Sequence, residues 1–553
     1  MTDPKADVVV IGSGVCGAIT AWQLAAQGKR VVLLEAGTNH VDRGHLVERF
    51  AGSADQGLGS PYHDRRNDRF APASDTFNKD DGSYYVRGGP RTFQSTYVRR
   101  VGGTTWHFLG NTPRFVPNDF RLESRYGRGV DWPLSYDDLE PHYCQAEQWL
   151  GVSGDHDAWN VEELGTRSRP FPNREIWPSY SDRLFSGRVG DLSVEGTRVV
   201  LRTTPQARNS RPYDGRPACA GNSSCVPLCP IGAKYDGAVH VAKARKAGAR
   251  LIAEAVVTKV APTAERVAVV YRHYDGSEHT VEGRIAVVAA NAIETPRLLL
   301  MSNLCASSGQ LGRNLMDHLQ GTVAAKAPEP VFPYRGPPTT SGIDAFRDGG
   351  FRREGGAFRL SLGNDGWGRG DHPTDRLRSL LDQGLVGTAL RNELERQTVR
   401  LIRFSYSTEM LPRADNRVEL ADEVDALGLP RPRLFFSVDD YSRAAFKHAQ
   451  SVCQAIFEAA GCEEIHVLSV GIDNVAPEDQ FLGAGHISGT CRMGADPTAS
   501  VVNADCQAHD HERLYILGSS VFPTEGTANP TLTAVALVSR ALGSITAALD
   551  SWQ

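Results

Sequence analysis

The chain has 553 residues, 41% hydrophobic and 23% charged, with a formal net charge of −5 at pH 7, which predicts a globular protein of two domains. The slight acidic balance and the scattered Lys and Arg residues argue against a nucleic-acid partner. No apolar run reaches the ~18 residues of a membrane span and no secretion-signal pattern opens the chain, so we expect neither a direct membrane span nor a signal peptide.

The first predicted elements form a βαβ unit. The apolar run over residues 8–11 is typical of a buried parallel strand, a segment with helical spacing follows, and residues 31–34 supply a second strand. The turn between the first strand and the helix carries the pattern Gly12-x-Gly14-x-x-Gly17, and Glu35 closes the second strand.

This arrangement predicts a dinucleotide site. The glycines allow a tight turn, close approach of the backbone to a pyrophosphate, and close packing of helix on strand, while the helix N-terminus offers free N–H groups to the phosphates. Glu35 is placed to accept hydrogen bonds from the ribose hydroxyls of an adenosine. An ordinary glycine-rich turn is the alternative, and the complete βαβ unit favours the dinucleotide site.

A polar stretch over residues 38–90 predicts surface loops. The paired glycines that follow, Gly102 and Gly103, precede two hydroxyls and Trp106, which suits a backbone that lies against a flat ligand. The alternative is a Gly-Gly turn that leads into a core Trp. Ser135 is the predicted N-cap of a helix that runs through Leu150, and residues 151–205 form a second broken excursion.

The remaining pattern predicts an α/β fold: a Rossmann-like nucleotide-binding domain interleaved with an α+β, antiparallel-sheet substrate domain. Residues 1–325 form the first domain, residues 326–479 the substrate domain, and residues 480–553 return to the first. In the first domain we expect a helix over 239–247, strands over 251–260 and 285–290, and a hairpin at 275–276. In the substrate domain we expect a helix over 377–398 and a strand-like alternation of polar and apolar residues over 431–438. The last part of the chain should form a strand at 514–516 and a long helix with Pro530 in its first turn.

Three of the ten cysteines fall within one short segment, Cys219-x5-Cys225-x3-Cys229. Three soft sulfur ligands on a Gly/Asn/Ser-rich loop suit an iron–sulfur site. A zinc site with a fourth ligand from elsewhere and a disulfide beside a free thiol are equally compatible with the spacing.

Several separated motifs resemble those of glucose-methanol-choline (GMC) oxidoreductases, and most resemble the catalytic subunits of bacterial FAD-dependent glucose, fructose and sorbitol dehydrogenases. The chain departs from that subgroup at Gly485 and Ala220, where Asn and Cys are usual. Beyond the first glycine pattern, the motifs are Val101-Gly-Gly-Thr-Thr-Trp-His107, Ala207-Arg-Asn-Ser-Arg-Pro-Tyr-Asp-Gly-Arg-Pro217, Cys229-Pro-Ile-Gly-Ala-Lys234, Gly312-Arg-Asn-Leu-Met-Asp-His318, His486-Ile-Ser-Gly-Thr490, Ser500-Val-Val-Asn503 and Asn529-Pro-Thr-Leu-Thr533.

This resemblance implies an FAD enzyme that oxidises alcohols, with His486 as the base and Asn529 orienting the substrate oxygen. A histidine titrates near working pH, which suits the role, whereas a lone histidine without this context is more often structural. The FAD is expected to be non-covalent, although His107 matches a position that carries flavin covalently in some sugar oxidases. The implied cofactor residues are Gly12, Gly14, Gly17, Glu35, Gly102, Gly103, Thr104, Thr105, His107, Val257, Ala289, Gly518, Ser519, Pro530 and Thr531.

The resemblance also implies a sugar or polyol substrate and an electron path. In the similar dehydrogenases the cysteine spacing carries a [3Fe-4S] cluster, so Cys219, Cys225 and Cys229 become its expected ligands. Those relatives are exported with a small subunit and pass electrons to a multihaem cytochrome c, which implies a periplasmic location; a cytoplasmic enzyme is the alternative. An oxygen-using pyranose or glycoside oxidase and a non-catalytic flavin-binding assembly subunit are the competing functions.

Overall fold

The structure is a computed structural model that describes residues 5–53, 84–89, 93–95, 97–366, 373–468 and 483–551. The α-helices in the described residues are α1 (Val15–Ala26), α2 (Arg43–Gly52), α3 (Leu122–Tyr126), α4 (Tyr136–Leu150), α5 (His156–Trp159), α6 (Tyr180–Val189), α7 (Ala238–Lys246), α8 (Asn291–Met301), α9 (Pro373–Asp382), α10 (Gly387–Thr398), α11 (Asp440–Ala459) and α12 (Thr531–Ser551). Short 3-10 turns cover Gly103–Trp106, Pro117–Arg121, Glu162–Leu164, Gly350–Arg353 and Ser519–Val521.

The strands are short and spread over the whole described chain. They are β1 (Val8–Ile11), β2 (Val31–Leu34), β3 (Val86–Arg87), β4 (Ser193–Val194), β5 (Thr197–Arg198), β6 (Leu201–Thr203), β7 (Arg250–Ile252), β8 (Ala255–Pro262), β9 (Val267–His273), β10 (Glu278–Gly283), β11 (Ile285–Val288), β12 (Leu319–Lys326), β13 (Thr339–Ile343), β14 (Phe358–Gly363), β15 (Leu401–Thr408), β16 (Arg417–Val424), β17 (Pro430–Phe435), β18 (Glu463–Val467), β19 (Gln507–Ala508) and β20 (His511–Ile516).

The first sheet is the predicted nucleotide-binding layer. Its order is β19-β20-β11-β1-β2-β7, and the pairs from β20 to β7 are parallel, with β19 antiparallel at one edge. The strands β1, β2 and β11 are buried along their whole length, which explains their continuous apolar sequences. The C-terminal α12 and the helices α1 and α4 pack together in the same core.

The second large sheet is antiparallel, in the order β18-β12-β15-β14-β13-β6, and α11 packs on it over a separate apolar core. The predicted α/β class with an interleaved antiparallel sheet is therefore confirmed. The sheet takes β6 and all but the last residue of β12 from before residue 326, so it crosses the predicted domain boundary; the boundaries stay predictions. A small sheet of β10, β9 and β8 contains the predicted hairpin.

Three element predictions were too simple. The expected strand over 251–260 is two strands, β7 and β8, because the chain turns at Glu254, whose φ is +53°. The expected helix over 377–398 is two helices, since Gly384 adopts a φ of +83° between them. The loop excursion over 38–90 contains α2 and β3 where it is described, and residues 54–83 lie outside the described residues.

Other predictions are confirmed. Helix α4 has Ser135 as its N-cap and ends at Leu150 as expected, with the Ser135 side chain accepting from the Asp138 N–H. The long C-terminal helix α12 is present, but it starts at Thr531, so Pro530 directly precedes the helix instead of lying in its first turn as predicted. By length and composition α12 is the one described helix that could cross a membrane, but 61% of its apolar window is buried inside the protein, as in the core helix of a soluble fold.

Candidate active site

Several of the predicted cofactor residues lie together just beyond the carboxyl ends of the parallel strands. Gly12 follows β1, Glu35 follows β2, Ala289 follows β11, and Gly518 lies two residues beyond β20. Open α/β sheets bind ligands at this edge, where strand order reverses around the first strand. The topology therefore brings together residues from both ends of the chain.

The glycine pattern forms a close-packed cradle. A Cβ atom on Gly17 would lie 1.9 Å from the Gly12 carbonyl oxygen, and one on Gly12 would lie 2.5 Å from the Ala289 carbonyl oxygen. A Cβ on Gly14 would meet no atom within 4 Å, and Gly14 is the N-cap of α1. The open side of the cradle thus lies at a helix N-terminus, which fits the pyrophosphate of FAD.

Glu35 is buried behind this cradle and bonded within the protein. Its Oε2 accepts from the N–H of Ser13 at 2.9 Å and from the Ser13 hydroxyl at 2.6 Å, and its Oε1 accepts from the N–H of Gly37 at 2.8 Å. Burial raises the pKa of this carboxyl against those hydrogen bonds. Because Oε1 accepts a single bond, it retains a position for a ribose hydroxyl.

The predicted flavin-facing turn lies directly on the glycine cradle. A Cβ atom on Gly103 would lie 2.9 Å from Gly14 Cα, which makes the close approach possible for glycine alone. The Thr105 hydroxyl donates to the Gly102 carbonyl at 2.9 Å and the Thr104 hydroxyl accepts from the Val98 N–H at 3.1 Å, so both hydroxyls hold the turn itself. His107 caps the turn, its N–H donating to the Thr104 carbonyl at 3.1 Å.

The other predicted cofactor residues surround the same edge. Val257 is buried in β8, close to where the Ala255 N–H donates to the Glu35 carbonyl at 2.9 Å. The Ser519 hydroxyl donates to the carbonyl of Ile487 at 2.6 Å, which ties the turn after β20 to the segment that carries His486. The N-terminus of α12 begins at Thr531, with the Pro530 carbonyl accepting from Ala534 at 2.9 Å.

His486 and Asn529 meet at the end of a directional hydrogen-bond chain. The Gly526 carbonyl can only accept, so its 2.9 Å contact places a proton on His318 Nε2. Neutral His318 then accepts at Nδ1 from the Nδ1–H of His486 at 2.7 Å. The proton on Nδ1 leaves the lone pair of His486 Nε2 facing the Asn529 amide nitrogen, 3.0 Å away. The network thus assigns one tautomer, with Nε2 free to act as a base.

Burial determines the charges in this group. It lowers the pKa of His318 to about 4, and together with His318 it lowers the pKa of His486 well below 6.5. Both imidazoles are therefore neutral at pH 7. Burial also raises the pKa of Asp317 to about 6, and with the charge of Asp317 it raises the pKa of Glu525 well above its ordinary value.

The supporting residues were not assigned from the sequence. Asp317 Oδ1 accepts from the backbone N–H of His486 at 2.9 Å, and Glu525 accepts from the Ser488 hydroxyl at 2.9 Å, so both acids hold the His486 segment in place. Asp317 and His318 close one of the quoted motifs, which was the available signal for them. Glu525 had no such signal.

The three predicted cluster ligands are free thiols on one loop between β6 and α7, with Cys225 and Cys229 buried. Within the described ranges, no group of three or more His, Cys, Asp or Glu side chains is arranged to hold a metal ion. The iron–sulfur site therefore stays a prediction.

The surroundings of this loop nevertheless have the chemistry of an anion site. Arg208 is buried, and its Nε and Nη1 have no hydrogen-bond partner among the residues that the structure describes. Its positive charge opposes the burial that raises the pKa of Cys225. Buried donors without partners are rare and indicate a missing acceptor. Carboxylate, phosphate and thiolate groups are such acceptors, so these two nitrogens suit an anionic group.

A dinucleotide cradle beside a histidine base is the arrangement of a flavin-dependent oxidoreductase, and the comparisons agree. Residues 200–320 and 412–537 match two models described as GMC oxidoreductase, and residues 7–42 match one described as FAD dependent oxidoreductase. The chain belongs to the GMC oxidoreductase family.

Two sequence relatives and one solved structure show what the chain is similar to. The chain is 36% identical to the fructose dehydrogenase large subunit of Gluconobacter japonicus, over 98% of each chain. It is 31% identical to the 6'''-hydroxyparomomycin C oxidase of Streptomyces lividus, over 98% of this chain and 92% of that protein. The crystal structure of a pyridoxine 4-oxidase from Mesorbium loti shares the fold, with a TM-score of 0.62, 18% identity, and coverage of 98% and 99%.

Proposed function

We propose that this enzyme oxidises a CH–OH group of a sugar or polyol by hydride transfer to FAD. The observation that carries the proposal is the hydrogen-bond chain from His318 through His486 to Asn529, which presents a neutral base beside an amide donor. The names of a fructose dehydrogenase and of a C-glycoside 3-oxidase among the relatives support a sugar hydroxyl as the substrate class.

His486 and Asn529 have separate tasks in the proposed reaction. Bound FAD supplies the hydride acceptor. The substrate hydroxyl takes the place that Asn529 holds against His486 Nε2, and its proton passes to Nε2 as the C–H bond breaks. The Asn529 amide then donates to the substrate oxygen. The resulting imidazolium keeps its Nδ1–H bond to His318, which holds the ring in position.

The base is expected to stay active at mildly acidic pH. Because the pKa of His486 lies well below 6.5, the imidazole remains unprotonated as the pH falls through that value. The second-order rate constant for flavin reduction, which reports the free enzyme, should stay flat from roughly pH 8 to pH 6. Anaerobic stopped-flow reduction at low substrate concentration measures it. A decline with a midpoint near 6.5, the ordinary histidine value, would contradict this prediction.

A substrate screen tests the proposed function directly. Anaerobic bleaching of the flavin should be measured with aldoses, ketoses, glycosides, polyols, sterols and simple aliphatic alcohols. We expect rapid bleaching by at least one sugar or polyol. Bleaching by sterols or aliphatic alcohols alone would reject the sugar proposal while leaving the histidine base intact.

We also propose that Cys219, Cys225 and Cys229 hold a [3Fe-4S] cluster, which would supply a one-electron relay to a cytochrome or quinone-type acceptor. The support is the close spacing of three soft ligands, the unsatisfied nitrogens of Arg208, and the relative named as a fructose dehydrogenase subunit. Iron and acid-labile sulfide analysis of anaerobically purified protein tests the proposal.

The variant Cys219→Ser should abolish the electron paramagnetic signal of the oxidised cluster and electron delivery to a cytochrome, while sugar-driven flavin reduction survives. A serine oxygen replaces a soft sulfur ligand poorly. Cys462→Ser is the matched control, since Cys462 is also a partly exposed free thiol but lies in another part of the fold. A signal of full intensity in the Cys219 variant would contradict the ligand assignment.

An oxygen-using oxidase is the second candidate, because three of the relatives are named as oxidases. Such an enzyme needs no relay and returns its electrons to oxygen as hydrogen peroxide. Sugar-dependent oxygen consumption at a rate equal to flavin reduction would support the oxidase. Turnover with quinones or dyes but not oxygen would support the dehydrogenase.

We propose further that the enzyme works in the periplasm with a small export subunit and a multihaem cytochrome c. The support is the relative named as a large subunit, a word that implies at least one smaller partner of that protein. Fractionation of the native host, combined with affinity purification of the intact complex, tests this. Activity confined to the cytosol would leave the cytoplasmic alternative.

A further inference from the structure

The flavin-facing turn ends in a row of carbonyl groups whose partners come from one distant stretch of the chain. The 3-10 turn Gly103–Trp106 closes with the His107 N–H donating to the Thr104 carbonyl. Backbone groups at the end of a helical turn need partners from outside it. Residues 207–234 supply donors to the carbonyls of Thr105, Trp106, Phe108, Leu109 and Gly110.

Lys234 supplies three of these bonds from a single atom. Its ammonium group donates to the carbonyls of Phe108 at 2.7 Å, Trp106 at 2.8 Å and Thr105 at 3.3 Å. An ammonium nitrogen has three protons and accepts no bond, so three converging carbonyls match it, whereas an amide nitrogen offers only two protons. The side chain is 1% exposed, and a buried charge is costly unless it is fully hydrogen-bonded. The lysine and this shape of the turn therefore depend on each other.

The backbone around Lys234 holds the two ends of the turn. At the far end, the Ala207 N–H donates to the Gly110 carbonyl at 2.7 Å. At the near end, the Gly237 N–H donates to the Thr105 hydroxyl at 2.8 Å. A Cβ atom on Gly237 would lie 2.5 Å from the Gly102 carbonyl oxygen, so the two segments are in close contact.

The same segment continues into a helix that packs on the glycine cradle. Helix α7 begins at Ala238 and packs along α1, where the ring of His240 lies 4.9 Å from that of Trp22. The N-cap of α1 is Gly14, the residue that Gly103 approaches. The segment that carries Lys234 thus contacts the flavin-facing turn on one side and the cradle helix on the other.

We propose that Lys234 is a positioning residue for FAD. By bonding the carbonyls at the end of the flavin-facing turn, it fixes that turn against the glycine cradle and so determines how FAD is placed relative to His486. Lys234 acts through the turn and has no part in the proton transfer. A displacement of about 1 Å far from the reacting atoms can cost ~100-fold in rate. The inference rests on FAD as the cofactor and is independent of the sugar and iron–sulfur proposals.

Two substitutions of this lysine test the proposal. Lys234→Met keeps the length of the side chain and removes all three donors, and Lys234→Gln keeps two. In folded Lys234→Met we expect FAD affinity to fall at least about tenfold. We also expect an altered visible circular dichroism spectrum of the bound flavin and a limiting rate of anaerobic flavin reduction lowered by about 10- to 100-fold. The substrate concentration that gives half of this rate should not change, and Lys234→Gln should lie between Lys234→Met and the unmodified protein.

Lys326→Met is the matched control, because Lys326 is also 1% exposed but lies at the end of β12 and pairs with Glu464. It should lower stability and leave FAD affinity and the flavin spectrum unchanged. A folded Lys234→Met protein with unchanged FAD affinity, flavin spectrum and limiting rate would overturn the proposal.

The remaining outcomes are also decisive. If Lys234→Met does not fold, the same measurements on Lys234→Gln decide. If Lys234→Gln does not fold either, the lysine serves the fold as a whole and the positioning role is wrong. Unmodified protein that binds no FAD would overturn the proposed function itself. The expected changes in FAD affinity and flavin spectrum, in a protein whose flavin no sugar bleaches, would support the positioning role and reject the sugar proposal alone.

Discussion

Replacing His486 by alanine is expected to slow sugar-driven flavin reduction by about 100- to 10,000-fold, the usual contribution of a general base. The expectation follows from the hydrogen-bond network: Nε2 of His486 faces Asn529, whereas the other unprotonated ring nitrogen, Nδ1 of His318, already accepts from His486. Single-turnover anaerobic stopped-flow isolates the hydride step from later electron transfer. The loss should appear in the limiting rate constant rather than in substrate affinity, because proton removal stabilises the transition state.

The control for this variant is His45→Ala, which removes an exposed imidazole from the surface of α2. Its flavin reduction rate should match that of the unmodified protein, and both variants should bind FAD equally well. Undiminished sugar-dependent reduction in His486→Ala would remove the base assignment. FAD binding without reduction by any sugar, in the unmodified protein as well as in the variant, would instead indicate a flavin-binding assembly subunit.

The parts of the site that follow one continuous local pattern could be predicted from the sequence. Residues 8–11 and 31–34 are parallel strands because their apolar runs have no polar alternation, and the glycine spacing then fixes where a helix N-terminus must lie. Gly12 lies in the turn after β1 and Gly17 in the first turn of α1, and their close contacts are with backbone atoms only a few residues or one strand away. Local sequence therefore determines the cradle.

The relay behind the base could not be predicted in this way. His318 and His486 are 168 residues apart in the chain, and their contact depends on how β12 and the segment before α12 are positioned by two different sheets. The periodicity of a sequence does not predict a contact between side chains so far apart in the chain.

The predicted boundaries of helices and strands were wrong where a single residue changes the direction of the backbone. Gly384 divides a pattern that is amphipathic throughout, so the helical period continues across a break that only the positive φ reveals. Glu254 divides β7 from β8 in a run with strand character on both sides. In both places the side-chain pattern was correct and the backbone conformation was decided by one position.

Substitutions in the glycine cradle are expected to have the second large effect. Three glycine-to-alanine variants distinguish its contribution to the stability of the fold from its contribution to FAD binding. A Cβ atom in Gly17→Ala would lie 1.9 Å from the Gly12 carbonyl, so α1 and the turn must move apart. We expect a loss of about 1–3 kcal/mol in the free energy of unfolding, typical of overpacking, together with loss of FAD. Chemical denaturation followed by tryptophan fluorescence, with and without added FAD, measures both.

Gly14→Ala should behave differently, because its Cβ atom would meet no protein atom within 4 Å and its φ of −61° suits alanine. The FAD-free protein should unfold at the same denaturant concentration as the unmodified protein, while FAD affinity falls at least about tenfold, roughly 1.4 kcal/mol, since the new methyl group occupies the space proposed for the pyrophosphate. Gly543→Ala, an equally open site in the middle of α12, is the control and should leave FAD affinity unchanged. Unaltered FAD affinity in Gly14→Ala would place the pyrophosphate elsewhere, whereas an unfolded Gly14→Ala protein would show that this glycine serves the fold rather than the cofactor.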